Sequence, residues 1–144
     1  MKRFGSAAWN GGLREGKGSV STESGALETY PNAFFTRYGD KPGTSPEELL
    51  GAAHAACFTM SFVRLLGVAN FVPEQVDSKS EVVIDKDGDG FSITSVHLIT
   101  AKIPGIDQAA FQSIVAKAKA GCPILQTDEA RDWLRSHSPL VSLR

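Results

Sequence analysis

The stretch Thr44-Ser45-Pro46-Glu47-Glu48-Leu49-Leu50-Gly51-Ala52-Ala53-His54-Ala55-Ala56-Cys57-Phe58 decides how this chain folds. It opens with a hydroxyl cap, a proline for the first turn and two carboxylates favoured by the helix dipole, and Ser45 with Glu48 fits a capping box. From there Leu50, Ala53, Cys57, Met60, Val63 and Leu66 recur at helical spacing, while Ala52, Ala55, Ala56 and Phe58 make the other faces apolar too. A helix apolar nearly all round is buried on all sides. One chain of this size leaves part of such a helix uncovered, so a second subunit is expected over it. The uncharged run Leu49 to Val63 holds His54 and stops at Arg64. It is shorter than the roughly 18 to 20 apolar residues of a bilayer span, which predicts a buried helix and no membrane partner.

Upstream, residues 1–43 are rich in Gly, Ser and Thr with short apolar punctuation at Phe4, Trp9, Val20, Leu27, Phe34, Phe35 and Tyr38. The pattern predicts short strands and turns, with a hairpin turn at Gly11-Gly12, a break at Pro31-Asn32 and a strand over Ala33 to Tyr38. Downstream, Val76, Ser78, Ser80, Val82 and Ile84 alternate, then Phe91, Ile93, Val96 and Leu98 follow a Gly/Asp turn. That is a β-hairpin. Asp107 then caps a second helix with Phe111, Ile114, Val115, Ala118 and Cys122 on one side, ended by Gly121 and Pro123. The tail holds a helical-looking stretch around Asp128 to Arg135, then Pro139-Leu140-Val141-Ser142-Leu143. The order predicts a single α+β domain over 1–144, with antiparallel sheets wrapped around central apolar helices.

Composition narrows the function classes. The chain has 144 residues, 42% hydrophobic and 22% charged, and its 15 basic against 16 acidic groups leave a net charge of -1. Disorder and coiled coil are disfavoured, and no electrostatic footprint for nucleic acid is present. The first ten residues lack the apolar stretch of a signal peptide, which predicts a cytoplasmic protein. Two cysteines are too few for a disulfide-stapled scaffold and raise a redox or metal question instead.

Four features could carry chemistry. Asp85-Lys86-Asp87-Gly88-Asp89-Gly90 matches the opening of a calcium loop, but its twelfth position is Val96 and its flanks are strand-like, so it reads as a hairpin turn. Cys57 is either a nucleophile, which needs a positive neighbour to hold it as thiolate, or a small buried hydrophobe of the helix. His54, three residues earlier, is a base, a metal ligand or a hydrogen-bonded core residue. Two cysteines and one histidine leave a zinc site a ligand short. Cys122, if brought near Cys57, could trap a sulfenic acid as a disulfide; otherwise the two thiols are unrelated.

The run Ser45 to Phe58, together with Lys117-Ala118-Lys119-Ala120-Gly121-Cys122-Pro123, closely resembles the OsmC branch of the OsmC/Ohr hydroperoxide-reductase family. Trp9-Asn10-Gly11-Gly12, Gly16-Lys17-Gly18, Ser21-Thr22-Glu23-Ser24-Gly25 and Phe35-Thr36-Arg37-Tyr38 are similar to that branch as well, so the likeness runs from about Ala7 to Pro123. His54-Ala55-Ala56-Cys57 and the Ala-Gly-Cys-Pro around the second cysteine point to OsmC rather than Ohr.

The resemblance implies a cysteine-based peroxidase that reduces organic hydroperoxides, and hydrogen peroxide more weakly, without metal, haem or other cofactor. It implies Cys57 as the peroxidatic cysteine, Cys122 as the resolving one, and Arg37 with Glu47 as the polar pair that activates the thiol. It also implies an intertwined homodimer with shared active sites and a dithiol reductant of lipoyl type. Apolar side chains near such a site, with Phe35, Phe58, Met60 and Phe62 as candidates, would suit a hydrocarbon-tailed peroxide. Glu47 and Cys57 are ten residues apart, about 15 Å along one unbroken helix. If all four residues form one site, Glu47 and Arg37 must therefore reach Cys57 of a two-fold-related copy. The alternative is a non-catalytic dimeric module of the same fold that binds a small ligand or soft metal. Leu125 to Arg144 departs from the family pattern, which puts the closing strand in question.

Overall fold

The computed structural model describes residues 1–88, 90–125 and 140–143. They form two compact units, Met1–Leu49 and Leu50–Arg144.

In the first unit, strands β1 (Gly5–Asn10), β2 (Lys17–Thr22) and β3 (Tyr30–Pro31) make an antiparallel sheet in that order. Gly11-Gly12 opens the β1–β2 hairpin connection, as expected. The β1–β2 connection takes six residues, closed by the Gly16 N–H donating to the Gly12 carbonyl at 2.7 Å, with Gly11 at φ +92. The predicted strand over Ala33 to Tyr38 is instead a one-turn helix, α1 (Phe34–Tyr38). Aromatic content suggested a strand, but Thr36 overrides it: its hydroxyl accepts the Ala33 N–H at 2.7 Å, as a cap does, and the Thr36 and Arg37 amides both close on the Ala33 carbonyl. Of residues 1–49, all of them described, only Thr44 is buried. Phe4, Trp9, Leu13 and Tyr30 stand in the open.

Helix α2 (Pro46–Val68) begins where the sequence predicted, with the Glu48 N–H donating to Ser45 Oγ at 3.2 Å. The Glu48 carboxylate accepts the Thr44 hydroxyl at 2.8 Å, so the returning half of the cap goes to Thr44. The helix continues through Arg64 to Val68, and at 23 residues it reaches the length and hydropathy of a membrane span. Within the chain it buries one face. Gly51, His54, Phe58, Phe62 and Leu66 form one buried face. As expected for one chain of this size, part of the helix is uncovered: Leu50, Met60, Val63 and Val68 remain exposed.

That buried face packs in the second unit with a hairpin of two 13-residue strands, β4 (Gln75–Asp87) and β5 (Gly90–Lys102), in register from Gln75↔Lys102 to Asp87↔Gly90. Asp85, Lys86, Asp87 and Gly90 are thus paired at the end of that ladder, and Asp89 lies outside the described residues. On β4, Val76, Ser78, Ser80, Val82 and Ile84 are partly buried and alternate with exposed neighbours, as the period of two requires. The seam with α2 is partly polar: Thr59 Oγ1 bonds Ser78 Oγ and donates to the Ala55 carbonyl at 2.8 Å. Gly51 lets the helix approach, since a Cβ there would meet the Ser80 carbonyl oxygen at 2.9 Å.

Helix α3 (Gln108–Gly121) is capped by Asp107, whose carboxylate accepts the Ala110 N–H at 2.7 Å. Phe111, Ile114, Val115 and Ala118 join Phe58, Phe62, Leu66, Ile99, Ala101 and Ile103 in one core. Phe62 lies at its centre, 6.2 Å from the Phe58 ring and edge-on to Phe111 at 5.7 Å. A 3-10 turn (Pro123–Leu125) follows. The terminal strand, β6 (Leu140–Leu143), pairs with β5 in parallel from Leu98↔Leu140 to Ala101↔Leu143, so the sheet order is β4-β5-β6. The antiparallel description therefore has one parallel edge, and the helical-looking stretch around Asp128 to Arg135 lies outside the described residues. The architecture is α+β.

Candidate active site

Cys57 and Cys122, 65 positions apart in sequence, meet in the second unit. Their sulfurs are 2.7 Å apart, with the Cys122 thiol as donor. That is shorter than ordinary sulfur–sulfur contact and longer than the ~2.05 Å of a disulfide bond. Two elements set this meeting. Cys57 immediately precedes Phe58 of the buried face of α2 and is half-buried. Cys122 is the C-cap of α3, fully buried, and its extended backbone (φ −74, ψ 115) is the conformation that a following proline, here Pro123, imposes. Phe58 and Phe62 of α2 pack with Phe111 of α3 and hold the two helices together.

Arg37 and Glu47 meet in the first unit. The guanidinium presents its Nε–Nη2 edge to the carboxylate, with Nε to Oε1 at 3.1 Å, Nε to Oε2 at 3.2 Å and Nη2 to Oε1 at 2.5 Å. Such a two-point pairing fixes the plane of the guanidinium as well as its position. Nη1 makes no hydrogen bond among the described residues, and Cζ rests 5.1 Å above the Tyr38 ring. The hydrogen bond to Glu47 raises the Arg37 pKa further above its ordinary value. Burial pushes the Glu47 carboxyl up. The Arg37 hydrogen bond, together with its own backbone amide and Ser45, outweighs that and leaves it below its ordinary value.

The structure thus joins the four residues singled out in the sequence into two pairs, a dithiol and an ion pair. Glu47 sits in the first turn of α2 and Cys57 ten residues on in the same unbroken helix.

Other sequence candidates resolve differently. His54 is 3% exposed and its Nδ1 lies 3.3 Å from Ser80 Oγ, which makes it a core histidine of the polar seam. Among the described residues, no three His, Cys, Asp or Glu side chains are grouped to hold a metal ion. Phe58 and Phe62 are 1% and 0% exposed, so they are packing residues and not a lining for substrate. Met60 and Phe35 are exposed. Sequence reasoning read Thr44 only as part of the hydroxyl cap of the helix and gave Thr36 no role of its own; the two hydroxyls and the Thr44 carbonyl tie α1 to the start of α2.

Known proteins share this arrangement of elements. The OsmC-like protein family model matches residues 39–131. The chain is 49% identical over 131 residues to peroxiredoxin OsmC of Escherichia coli (strain K12), covering 90% of this chain and 92% of that protein. It is 36% identical over 115 residues to the organic hydroperoxide resistance protein of Xanthomonas axonopodis pv. citri (strain 306), covering 78% of each. In fold it is similar to the organic hydroperoxide resistance protein OhrB of Bacillus subtilis, with a TM-score of 0.69 at 21% identity over 98% of both chains. It is also similar to a Legionella pneumophila organic hydroperoxide resistance protein OsmC, with a TM-score of 0.63 at 27% identity over 99% of this chain and 95% of that one. By sequence across most of its length, and by fold, the chain belongs to the OsmC-like protein family.

Proposed function

We propose that the chain is a cysteine-based peroxidase that reduces organic hydroperoxides, and hydrogen peroxide more weakly, to the alcohol or water. The observation that carries this reading is the 2.7 Å approach of the Cys57 and Cys122 sulfurs. The names of the relatives, peroxiredoxin and organic hydroperoxide resistance protein, support the substrate class.

The chemistry balances without a cofactor. The Cys57 thiolate attacks the distal peroxide oxygen. An S–O bond forms, the O–O bond breaks, and the departing alkoxide takes a proton and leaves as alcohol, with Cys57 oxidised to sulfenic acid. The Cys122 sulfur then displaces hydroxide from that acid, giving the Cys57–Cys122 disulfide and water. A small dithiol of lipoyl type reopens it by two exchanges and leaves as its own disulfide. The half-buried Cys57 is the sulfur a peroxide reaches, and the fully buried Cys122 is the one kept from it.

Arg37 completes the site. With Glu47 on one edge, its Nη1 side is left to donate to the thiolate and to the polarised peroxide oxygen. Ten residues of unbroken helix put about 15 Å between Glu47 and Cys57 of the same chain, too far for one carboxylate and its guanidinium to serve that thiol. The ion pair therefore acts on Cys57 of a second copy, in a homodimer with shared sites. Two features favour that dimer. The first unit has one buried residue in 49 and no apolar core of its own, which no isolated three-stranded sheet can sustain. On α2, Leu50, Met60, Val63 and Val68 lie exposed.

The test is intact mass after one equivalent of cumene hydroperoxide. The expected result is loss of two hydrogens, abolished by either Cys57→Ser or Cys122→Ser. An unchanged mass with the peroxide still present would remove the reading.

A further inference from the structure

Helix α1 carries Arg37 yet has little to hold it. It is five residues long, none of them buried, and a single turn closes too few hydrogen bonds to stand by itself. What fixes it is the residue before the arginine. The Thr36 hydroxyl accepts the Ala33 N–H at 2.7 Å, and its single proton faces two carbonyls, those of Ala33 and Thr44, each at 2.9 Å. Thr44 is buried, its N–H donates to the Pro31 carbonyl at 2.9 Å, and its hydroxyl donates to Glu48 in the first turn of α2. The Thr36 methyl closes the same joint from the other side. A Cβ built on Gly43 would fall 2.5 Å from Thr36 Cγ2 and 2.6 Å from the Pro31 carbonyl, so this glycine exists to admit the threonine. One side chain thus ties the arginine's helix to the turn that carries Glu47.

We propose that Thr36 is a positioning residue for Arg37. Through the Ala33 and Thr44 bonds it sets where the guanidinium stands against the Glu47 carboxylate, and so where Nη1 points. It touches neither peroxide nor sulfur in this scheme. The inference rests on the peroxidase reading of Arg37 given above. The Arg37–Glu47 pair alone leaves α1 free to pivot about a long, partly exposed side chain, whereas the Thr36 joint is short, half-buried and anchored on backbone at each end.

The test is a double-mutant cycle on the second-order rate of cumene hydroperoxide with Cys57. Thr36→Val keeps the shape and removes the hydroxyl, and is expected to slow the reaction about tenfold, the usual scale for a misdirected catalytic group. Thr36→Ser, which restores the hydroxyl, is expected to recover most of that rate. In an Arg37→Ala background, Thr36→Val is expected to cost nothing more. Gly43→Ala, which presses on the same methyl, should behave as Thr36→Val does and stands in for it if the valine variant fails to fold. An equal loss with and without Arg37, or no loss in either, overturns the proposal. If the parent protein proves inert toward peroxide, the peroxidase reading has failed. The Arg37 Nε–H signal in a nitrogen-15 spectrum then decides Thr36 separately: it must shift in the Thr36 or Gly43 variant, and an unmoved signal overturns the positioning role.

Discussion

Arg37 meets Glu47 along one edge of its guanidinium, and the opposite Nη1 corner carries no hydrogen bond among the described residues. The carboxylate of this pair lies below its ordinary pKa because the bonds from Arg37, its own amide and Ser45 outweigh the effect of burial. A depressed carboxyl pKa contributes stability that is present above the unfolded value of about 4.3 and is lost as pH falls through the lower folded value. Glu47→Gln removes that contribution. The stability gap between parent and Glu47→Gln is therefore expected to be full from pH 5 to 7. It should close as pH falls below the unfolded value and through the lowered value of the parent carboxyl. Urea unfolding followed at several pH values checks this; a gap of the same size at pH 3 and pH 7 would contradict the ion pair.

Gly51 sets how closely α2 lies on β4. Alanine is the better helix former by about 1 kcal/mol, so an exposed glycine-to-alanine change would stabilise the helix. Here the new Cβ meets the Ser80 carbonyl oxygen at 2.9 Å and Val82 Cγ2 at 3.5 Å. A strand carbonyl cannot rotate away as a flexible side chain would. Gly51→Ala is expected to destabilise the fold by about 1–3 kcal/mol, as overpacking of a tight interface does. A melting temperature equal to or above the parent's would show that the helix and strand have room to part.

Removing Cys122 leaves the first oxidation possible and the second step impossible. Cys122→Ser is expected to gain one oxygen with one equivalent of hydroperoxide and two or three with excess, since an unresolved sulfenic acid climbs to sulfinic and sulfonic acid. The parent should stop at loss of two hydrogens under both conditions. Mass spectrometry separates the outcomes, and a Cys122→Ser protein that resists overoxidation as the parent does would deny Cys122 its resolving role.

How legible this was in the sequence depends on the range of the forces involved. The start of α2, the β4 alternation and the Asp107 cap are local, and each appears where residue pattern put it, down to Ser78 and Ser80 on the inner side, whereas on β5 Ile93 is exposed and Ser95, Ile99 and Ala101 are buried instead. Helix α1 was misread because its aromatic residues argue for a strand. One threonine hydroxyl, bonded to Ala33 and to Thr44 eight residues on, decides otherwise. The polar seam of Thr59, Ser78, His54 and Ser80 was invisible for the same reason: nothing in helical spacing says that a histidine will face a serine 26 positions away. The approach of Cys122 to Cys57 is likewise tertiary, and in the sequence it was legible only through family resemblance. Chain size told that α2 would leave part of itself uncovered, but periodicity could not tell that Met60 and Val63 would lie there, because an all-apolar helix looks the same whether its cover comes from its own chain or another.

That open face leads to the sharpest check on the shared site. Arg37→Ala retains Cys57 but lacks the guanidinium, while Cys57→Ser retains Arg37 but lacks the nucleophile, so each variant alone should be nearly inactive. If the arginine serves the neighbouring chain, a mixed dimer contains one site with both groups intact and one with neither. Unfolding the two variants together and refolding at equal amounts gives about half mixed dimers, and hence about a quarter of the parent's intact sites. Peroxidase activity of the mixture is expected to rise to about that level while either variant refolded alone stays at its own low value. If the groups instead met within one chain, no assortment of subunits could reunite them, and the mixture would stay as inactive as its parts.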